Sequence, residues 1–392
     1  MKKPRKDVLI FILFDCCYWF ALYSYTSFLT PMAEAMGASA TMSGLISSTY
    51  GLAMILFRIP IGILSDKLRK RKLFVVLGSV LICLSSLGLS LAKTPMQMFF
   101  FRLLAGIGVS TWVTVTVLYN SYFPPEESQK ALSDANLFSK VGSFVAGFAG
   151  AAAAGWLAAW FGSYQGACFI GFAVGIIGLV FSLFLKETAA EIKPLTFKEM
   201  LPIFKNTSVL FGGVSCGLFQ LMLYATGMSF ASNLAKSIGA SSFQIGILNT
   251  VMSLGGMVSG FLLPRFFLKH IHEKYLLHAA NLVALVACVV FPFAGSMGMI
   301  YVIEFVTGFV SGFSIPIYMA IAVRYMPESK KSTAMGVYQA VYAVGVFIGP
   351  MVSGLFIDWV GYTMGFMLIA LFGVINIALQ LLCYRKLGPE KE

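Results

Sequence analysis

Apolar runs of about twenty residues alternate with short polar, charge-bearing tracts along the whole chain. An α-helix rises about 1.5 Å per residue, so about 20 apolar residues cross the hydrocarbon core of a bilayer. On that measure residues 8–31, 41–65, 73–93 and 96–122 form four spans. Val141 to Leu185 carries no charge, which is too long for one span. The string Phe161-Gly-Ser-Tyr-Gln-Gly166 supplies a turn there, dividing spans five (132–160) and six (164–186). A charged connection, Lys186 to Lys205, contains Pro194 and Pro202 and predicts a short surface helix over 196–204. Six more spans follow at 207–235, 241–264, 275–295, 298–324, 332–357 and 361–384, for twelve in all.

Composition agrees with that pattern. The 392 residues are 58% hydrophobic and 11% charged, against about 25% charged in soluble domains. So much apolar surface has to face lipid, and helices satisfy their own backbone there. The fold class is an all-α membrane protein. A net charge of +12 would suit nucleic acid, but the charges sit in short tracts between spans, so no nucleic-acid partner is expected. The basic start, Met1 to Asp7, resembles a signal peptide, yet its apolar run continues to about Thr30 and holds Asp15. It reads as a retained first helix.

All seven cysteines fall in apolar segments without zinc or redox spacing and read as small core residues. The string His270-Ile-His272-Glu273 lacks the His-Glu-x-x-His spacing and reads as a solvated loop. No Walker loop and no Gly-x-Ser-x-Gly string occurs. Neither ATP-driven transport nor an enzyme is expected, and no metal or cofactor.

Lys and Arg fix the expected orientation. With the N-terminus inside, the inner side receives 2–6, 67–72, 186–205, 265–274, Lys330, Lys331, Arg385 and Lys386, while the outer loops receive Lys93 and Lys236. Both termini are then cytoplasmic, in a cell inner membrane.

The two halves repeat. Phe28 to Ser39 aligns with Phe230 to Ser241 at an offset of 202, with Phe, Ala, Gly, Ala and Ser shared. The same offset relates Gly44 to Gly246 and Gly106 to Gly308, and Gly142 pairs with Gly345 at 203. Two six-helix bundles, 1–186 and 207–392, joined by a cytoplasmic linker 187–206, follow from this. A parallel repeat with a midplane site between halves is a transporter arrangement.

Nearly the whole chain resembles the major facilitator superfamily. Its loop between helices two and three, Gly-x-x-x-Asp-Arg/Lys-x-Gly-Arg/Lys-Arg/Lys, is matched by Gly62, Asp66, Lys67, Lys70 and Arg71, with Arg69 standing where the family has glycine. Its fourth-helix pattern is similar to Arg102-Leu-Leu-Ala-Gly106-Ile-Gly108. The fifth-helix Gly-Pro signature of exchangers is absent, and a similar string, Gly345 to Gly349-Pro350 to Gly354, stands in span eleven. The resemblance implies a monomeric secondary transporter with a cavity lined by spans one, four, seven and ten. It also implies an inner gate in which Asp66 meets the N-terminal end of span eleven, near Ser332 to Gly336, an attraction that a helix N-terminus supplies.

Charges inside lipid are functional candidates. Asp15, Arg58, Arg102, Lys140 and Glu304 are the set. Asp15 and Arg58 lie about 12 Å from the same face and are placed to pair, either as a static ion pair or as a proton-accepting carboxylate. Arg102 and Glu304 are related by the offset of 202. They suggest an outer gate, a coupling pair or two separately satisfied groups. Lys140 either meets a substrate anion or snorkels to the cytoplasm. On span one Asp15, Tyr18, Trp19, Leu22, Tyr25 and Thr26 share one stripe, facing a cavity or an aromatic neighbour. Gln220, Tyr224, Asn233, Asn249 and Tyr318 are candidates for substrate hydrogen bonds or for helix bridging.

The expected function is alternating-access transport of a small organic solute coupled to protons. An Arg58-Ile-Pro60-Ile-Gly62 string resembling efflux permeases favours export. Uptake or exchange of an organic anion is the alternative, because intramembrane bases outnumber acids. A channel or membrane-embedded enzyme is the alternative of another class.

Overall fold

Twelve membrane-spanning helices account for nearly all of the computed structural model, which describes residues 6–123, 128–162, 164–187, 202–326 and 328–384. No strand occurs among the described residues. The first bundle holds α1 (Lys6–Ala35), α2 (Ala40–Leu68), α3 (Arg71–Leu91), α4 (Pro95–Asn120), α5 (Ser128–Trp156) and α6 (Gln165–Leu183). The second holds α7 (Thr207–Ser237), α8 (Ser242–His270), α9 (Glu273–Phe293) and α10 (Met297–Val323). The helical stretch Glu328–Cys383 supplies the last two, because Gly361 breaks it at φ 80°. These are α11 (328–360) and α12 (362–383). Of the surface helix expected over 196–204, only 202–204 lies within the described residues, and it is helical.

Local chemistry explains where the helices begin. Thr94 accepts from the Gln97 N–H with Pro95 at the first position, and Ser241 with Gln244 makes a reciprocal capping box. Asn206 caps α7 through the N–H groups of Ser208 and Val209. The internal repeat reappears in the turns. Gly37 and Gly239 sit at φ 85° and 83°, and Gly162 and Gly361 at 90° and 80°, a region costly for any residue with a Cβ. Arg69 adopts φ 53° at the position where the resembled loop has glycine.

The glycine strings pack helices. A Cβ on Gly142 or Gly150 of α5 would overlap the carbonyl oxygens of Cys16 and Ser24 on α1. In the second bundle, Gly345 and Gly349 of α11 lie as closely on Gly217 and Leu221 of α7. Small residues let helices approach where lipid offers no hydrophobic drive. Gly345→Val is therefore expected to cost about 1–3 kcal/mol of overpacking, seen as a lower unfolding temperature in detergent.

The bundles meet at the end away from the termini. Phe28, Leu29 and Met32 share one apolar cluster with Phe230, Ala231 and Ile245. Ser27 donates to the Gly246 carbonyl, Thr30 to the Ser229 carbonyl and Asn233 to Glu34. The Asp358 carboxylate accepts from the N–H groups of Ala40 and Thr41 at 3.1 and 2.7 Å, so a side chain of α11 caps α2. Nearer the midplane Thr250 donates to Phe144 across α8 and α5. At the terminal end the described ties stay within bundles: Glu187 takes the N–H groups of Arg71 and Lys72, and Glu273 takes Arg324 and Tyr384.

Candidate functional site

Aromatic residues converge at mid-depth on both sides of the bundle interface. In α1, Trp19 lies 5.0 Å edge-on to Trp112 of α4 and 5.6 Å from Tyr23, and Tyr18 lies 6.1 Å from Trp112. Tyr18 is held by donating to the Gly108 carbonyl at 2.9 Å. Tyr23, Tyr224 and Tyr342, all half-buried, pack against the cluster that contains Tyr18, Tyr50 and Trp112. Gln220 is half-buried one turn before Tyr224 on α7. This wall combines α1, α2 and α4 with α7 and α11. A break in helix geometry lies beside it in each bundle, a 3₁₀ turn at Thr26–Phe28 in α1 and a π-helical turn at Thr226–Phe230 in α7. Their positions are related by the repeat, and such turns mark functional sites.

Two buried guanidinium groups belong to helices of the wall, Arg102 to α4 and Arg58 to α2. Arg102 is 5% exposed, donates to the Tyr25 hydroxyl at 3.3 Å and lies 4.8 Å from the centre of the Tyr50 ring. The ring face partly compensates its charge, yet its Nε has no partner. Arg58 is 5% exposed, and its Nε and Nη1 have no hydrogen-bond partner.

The carboxylates lie elsewhere. Asp15 is fully buried with its Oδ2 3.1 Å from the Ser139 hydroxyl of α5. That hydroxyl is also 2.7 Å from the Ala135 carbonyl, and its one proton serves a single acceptor at a time. The Asp15 contact is therefore α1 to α5, and no Asp15–Arg58 ion pair occurs among the described residues. Glu304 is 1% exposed and neither carboxylate oxygen has a partner. It packs on Gly227, where a Cβ would stand 2.7 Å from Oε2. Arg102 and Glu304, equivalent in the repeat, each face neighbours in their own bundle and do not pair.

Other expected residues divide. Lys140 is exposed on α5. Tyr25, expected on the lining, is buried under Arg102. Tyr318 is also buried, where it accepts from Asn281 and Gln380, each at 2.7 Å. That polar network continues through Asn376 to Ser215 and ties α7, α9, α10 and α12 together. Asn233 bridges to Glu34. Where α2 ends and α3 begins, Lys67 and Lys70 are exposed, Arg71 is buried, and a Cβ on Gly62 would only touch Val113. The Asp66 side chain lies outside the described residues, as do those at 328–332.

Reading the sequence missed Tyr23, Tyr50, Trp112 and Tyr342 of the wall, and the Asp358 cap. A signal existed for the first three. Each lies on a span that the resemblance places beside the cavity or beside Arg58. Nothing local distinguished Asp358 from a solvated loop acid.

The overall arrangement matches a bacterial homolog to the human lysosomal transporter Spinster, in an inward-facing and unoccupied conformation. The TM-score is 0.79 at 17% identity, covering 99% of this chain and 98% of the other. In sequence, the chain is 24% identical over 374 residues to a multi-drug resistance efflux pump PmrA homolog of Lactococcus lactis, covering 92% and 90% of the two. It is equally identical over 398 residues to an uncharacterized MFS-type transporter of Methanocaldococcus jannaschii, covering 96% and 97%. The family model of the Major Facilitator Superfamily matches residues 11–232 and again 213–392. With two six-span bundles enclosing a midplane aromatic wall, this multi-pass membrane protein belongs to the Major Facilitator Superfamily of transporters.

Proposed function

We propose that the chain exports a small organic solute by alternating access, with Glu304 as the proton-binding group. The solute occupies the space beside Trp19, Tyr23, Tyr50, Tyr224 and Tyr342. Rocking of 1–186 against 207–392 exposes that space to either side in turn, with the termini in the cytoplasm of an inner-membrane protein. The closed end, sealed through Asp358 and the cluster around Phe28, is then the outer one, and the described conformation opens inward. In the alternate state Asp66 and the loop residues Gly62, Lys67, Lys70 and Arg71 close the inner end.

The observation that carries the proton coupling is the isolation of Glu304. Burying an unpaired carboxylate costs several kcal/mol, so Glu304 is suited to hold a proton while enclosed and to exchange it when its surroundings take up water. The π-helical turn beneath it is the element such a change would remodel. Export is supported by the likeness to an efflux pump and by the Arg58 to Gly62 string.

The test is flux in proteoliposomes containing the purified chain. Saturable transport that accelerates under an imposed pH gradient and loses that acceleration with a protonophore is expected. Flux indifferent to the gradient would remove the coupling, and non-saturating flux would favour a channel.

A further inference from the structure

We infer that the transported solute is an organic anion with an aromatic ring, its charge taken by Arg58 and Arg102 and its ring by the wall between them. This deepens the transporter reading and rests on it.

Arginine keeps its proton in any protein environment. A guanidinium in the membrane interior therefore needs a counter-charge, and protein carboxylates are the usual source. No described carboxylate supplies it, the Asp66 and Asp134 side chains lying outside the described residues. Among the described residues Asp15 is engaged with Ser139, Glu304 lies on Gly227, Glu34 meets Asn233 and Asp358 caps α2. Glu187 and Glu273 hold helix ends at the opposite face. Arg102 has ring faces and one phenol, and Arg58 makes no hydrogen bond at Nε or Nη1. Both are nineteen-twentieths buried, so bulk water does not complete them. The missing partner is an anion that comes and goes.

The surroundings specify more than charge. The groups present are the indoles of Trp19 and Trp112 and the rings of Tyr18, Tyr23 and Tyr50, with Tyr224 and Tyr342 opposite. These surfaces stack on planar rings, and offset or edge-on geometry adds to their area burial. Tyr50 and Arg58 stand eight residues apart on α2, about 12 Å, which places the two cations at different depths along the wall. The half-buried Trp19, Tyr23, Tyr224 and Tyr342 are its accessible surface.

The probes are benzoate, benzamide, benzylammonium and acetate. Binding to the purified full chain is read by tryptophan fluorescence, and counterflow is read in proteoliposomes. Benzoate is expected to bind at least tenfold more tightly than any of the other three and to show saturable counterflow. Arg58→Gln and Arg102→Gln should each weaken benzoate about tenfold or more and narrow its preference over benzamide, because truncating one side of a buried charge pair acts on the charge. Benzylammonium or benzamide matching benzoate on the unmodified protein would overturn the inference whether or not the variants fold, and acetate doing so would remove the ring. Counterflow of benzylammonium without benzoate would sink the anion class and leave the carrier standing. Benzoate binding without counterflow of any probe would do the reverse.

Discussion

Gly44→Val is expected to hold the protein open at the end where the bundles now meet. A Cβ at this position would overlap the Pro350 carbonyl oxygen of α11 and come 3.4 Å from the Gly354 Cα. Two turns further on, the same two helices are still close, for a Cβ on Gly51 would stand 2.5 Å from the Phe347 nitrogen. These are backbone atoms, so no rotamer change relieves the overlap. Overpacking costs about 1–3 kcal/mol, comparable to the few kcal/mol that separate two conformations of one protein. The population should shift by about tenfold or more toward the state in which α2 and α11 are apart.

Spin labels replacing Lys93, exposed in the loop before α4, and Lys236, exposed in the last turn of α7, read the change as a longer distance. Asp358→Asn should move it the same way by less. It weakens one capping carboxylate at an exposed helix start, about 1 kcal/mol. An unchanged distance distribution in both variants would mean that this contact does not set the equilibrium.

Glu304→Gln is expected to separate exchange from coupling. The amide has nearly the shape of the acid and loses no hydrogen bond, since neither oxygen has a partner. Its N–H groups gain no acceptor either, so any loss of thermal stability should be small. One pH unit is worth about 1.4 kcal/mol, so a one-proton carrier concentrates its solute about tenfold across that gradient. Glu304→Gln vesicles should show counterflow near the unmodified rate and no accumulation under the gradient. Asp15→Asn is the comparison, because Asp15 contacts Ser139 within one bundle. Accumulation lost in Asp15→Asn but kept in Glu304→Gln would transfer the proton to Asp15.

The twelve spans were legible because lipid imposes a length on every apolar run, and the ends at Thr94, Asn206 and Ser241 carry their own capping side chains. The family followed from the repeat and from the Asp66 loop. The glycine string in span eleven was visible as a motif, but its role came from the structure: Gly345 and Gly349 pack on α7 while Gly354 packs on the start of α2.

The charged pairs show where reading by register stops. An offset of 202 residues makes Arg102 and Glu304 equivalent within their bundles, yet equivalence says nothing of distance between bundles. Arg102 turned to Tyr25 and Tyr50, and Glu304 to Gly227. Depth likewise placed Asp15 beside Arg58 along the membrane normal, while the rotation of α1 about its axis directed the carboxylate to Ser139.

By itself, then, the sequence determined that this is a membrane transporter of two similar six-helix bundles, because span length and repeat are properties of the chain taken one segment at a time. Only the tertiary structure decided which end is closed, that Asp358 caps α2, and that Arg102 meets the rings of Tyr25 and Tyr50 instead of Glu304. Those contacts depend on how helices distant in the chain rotate and approach, and no local pattern of residues encodes that.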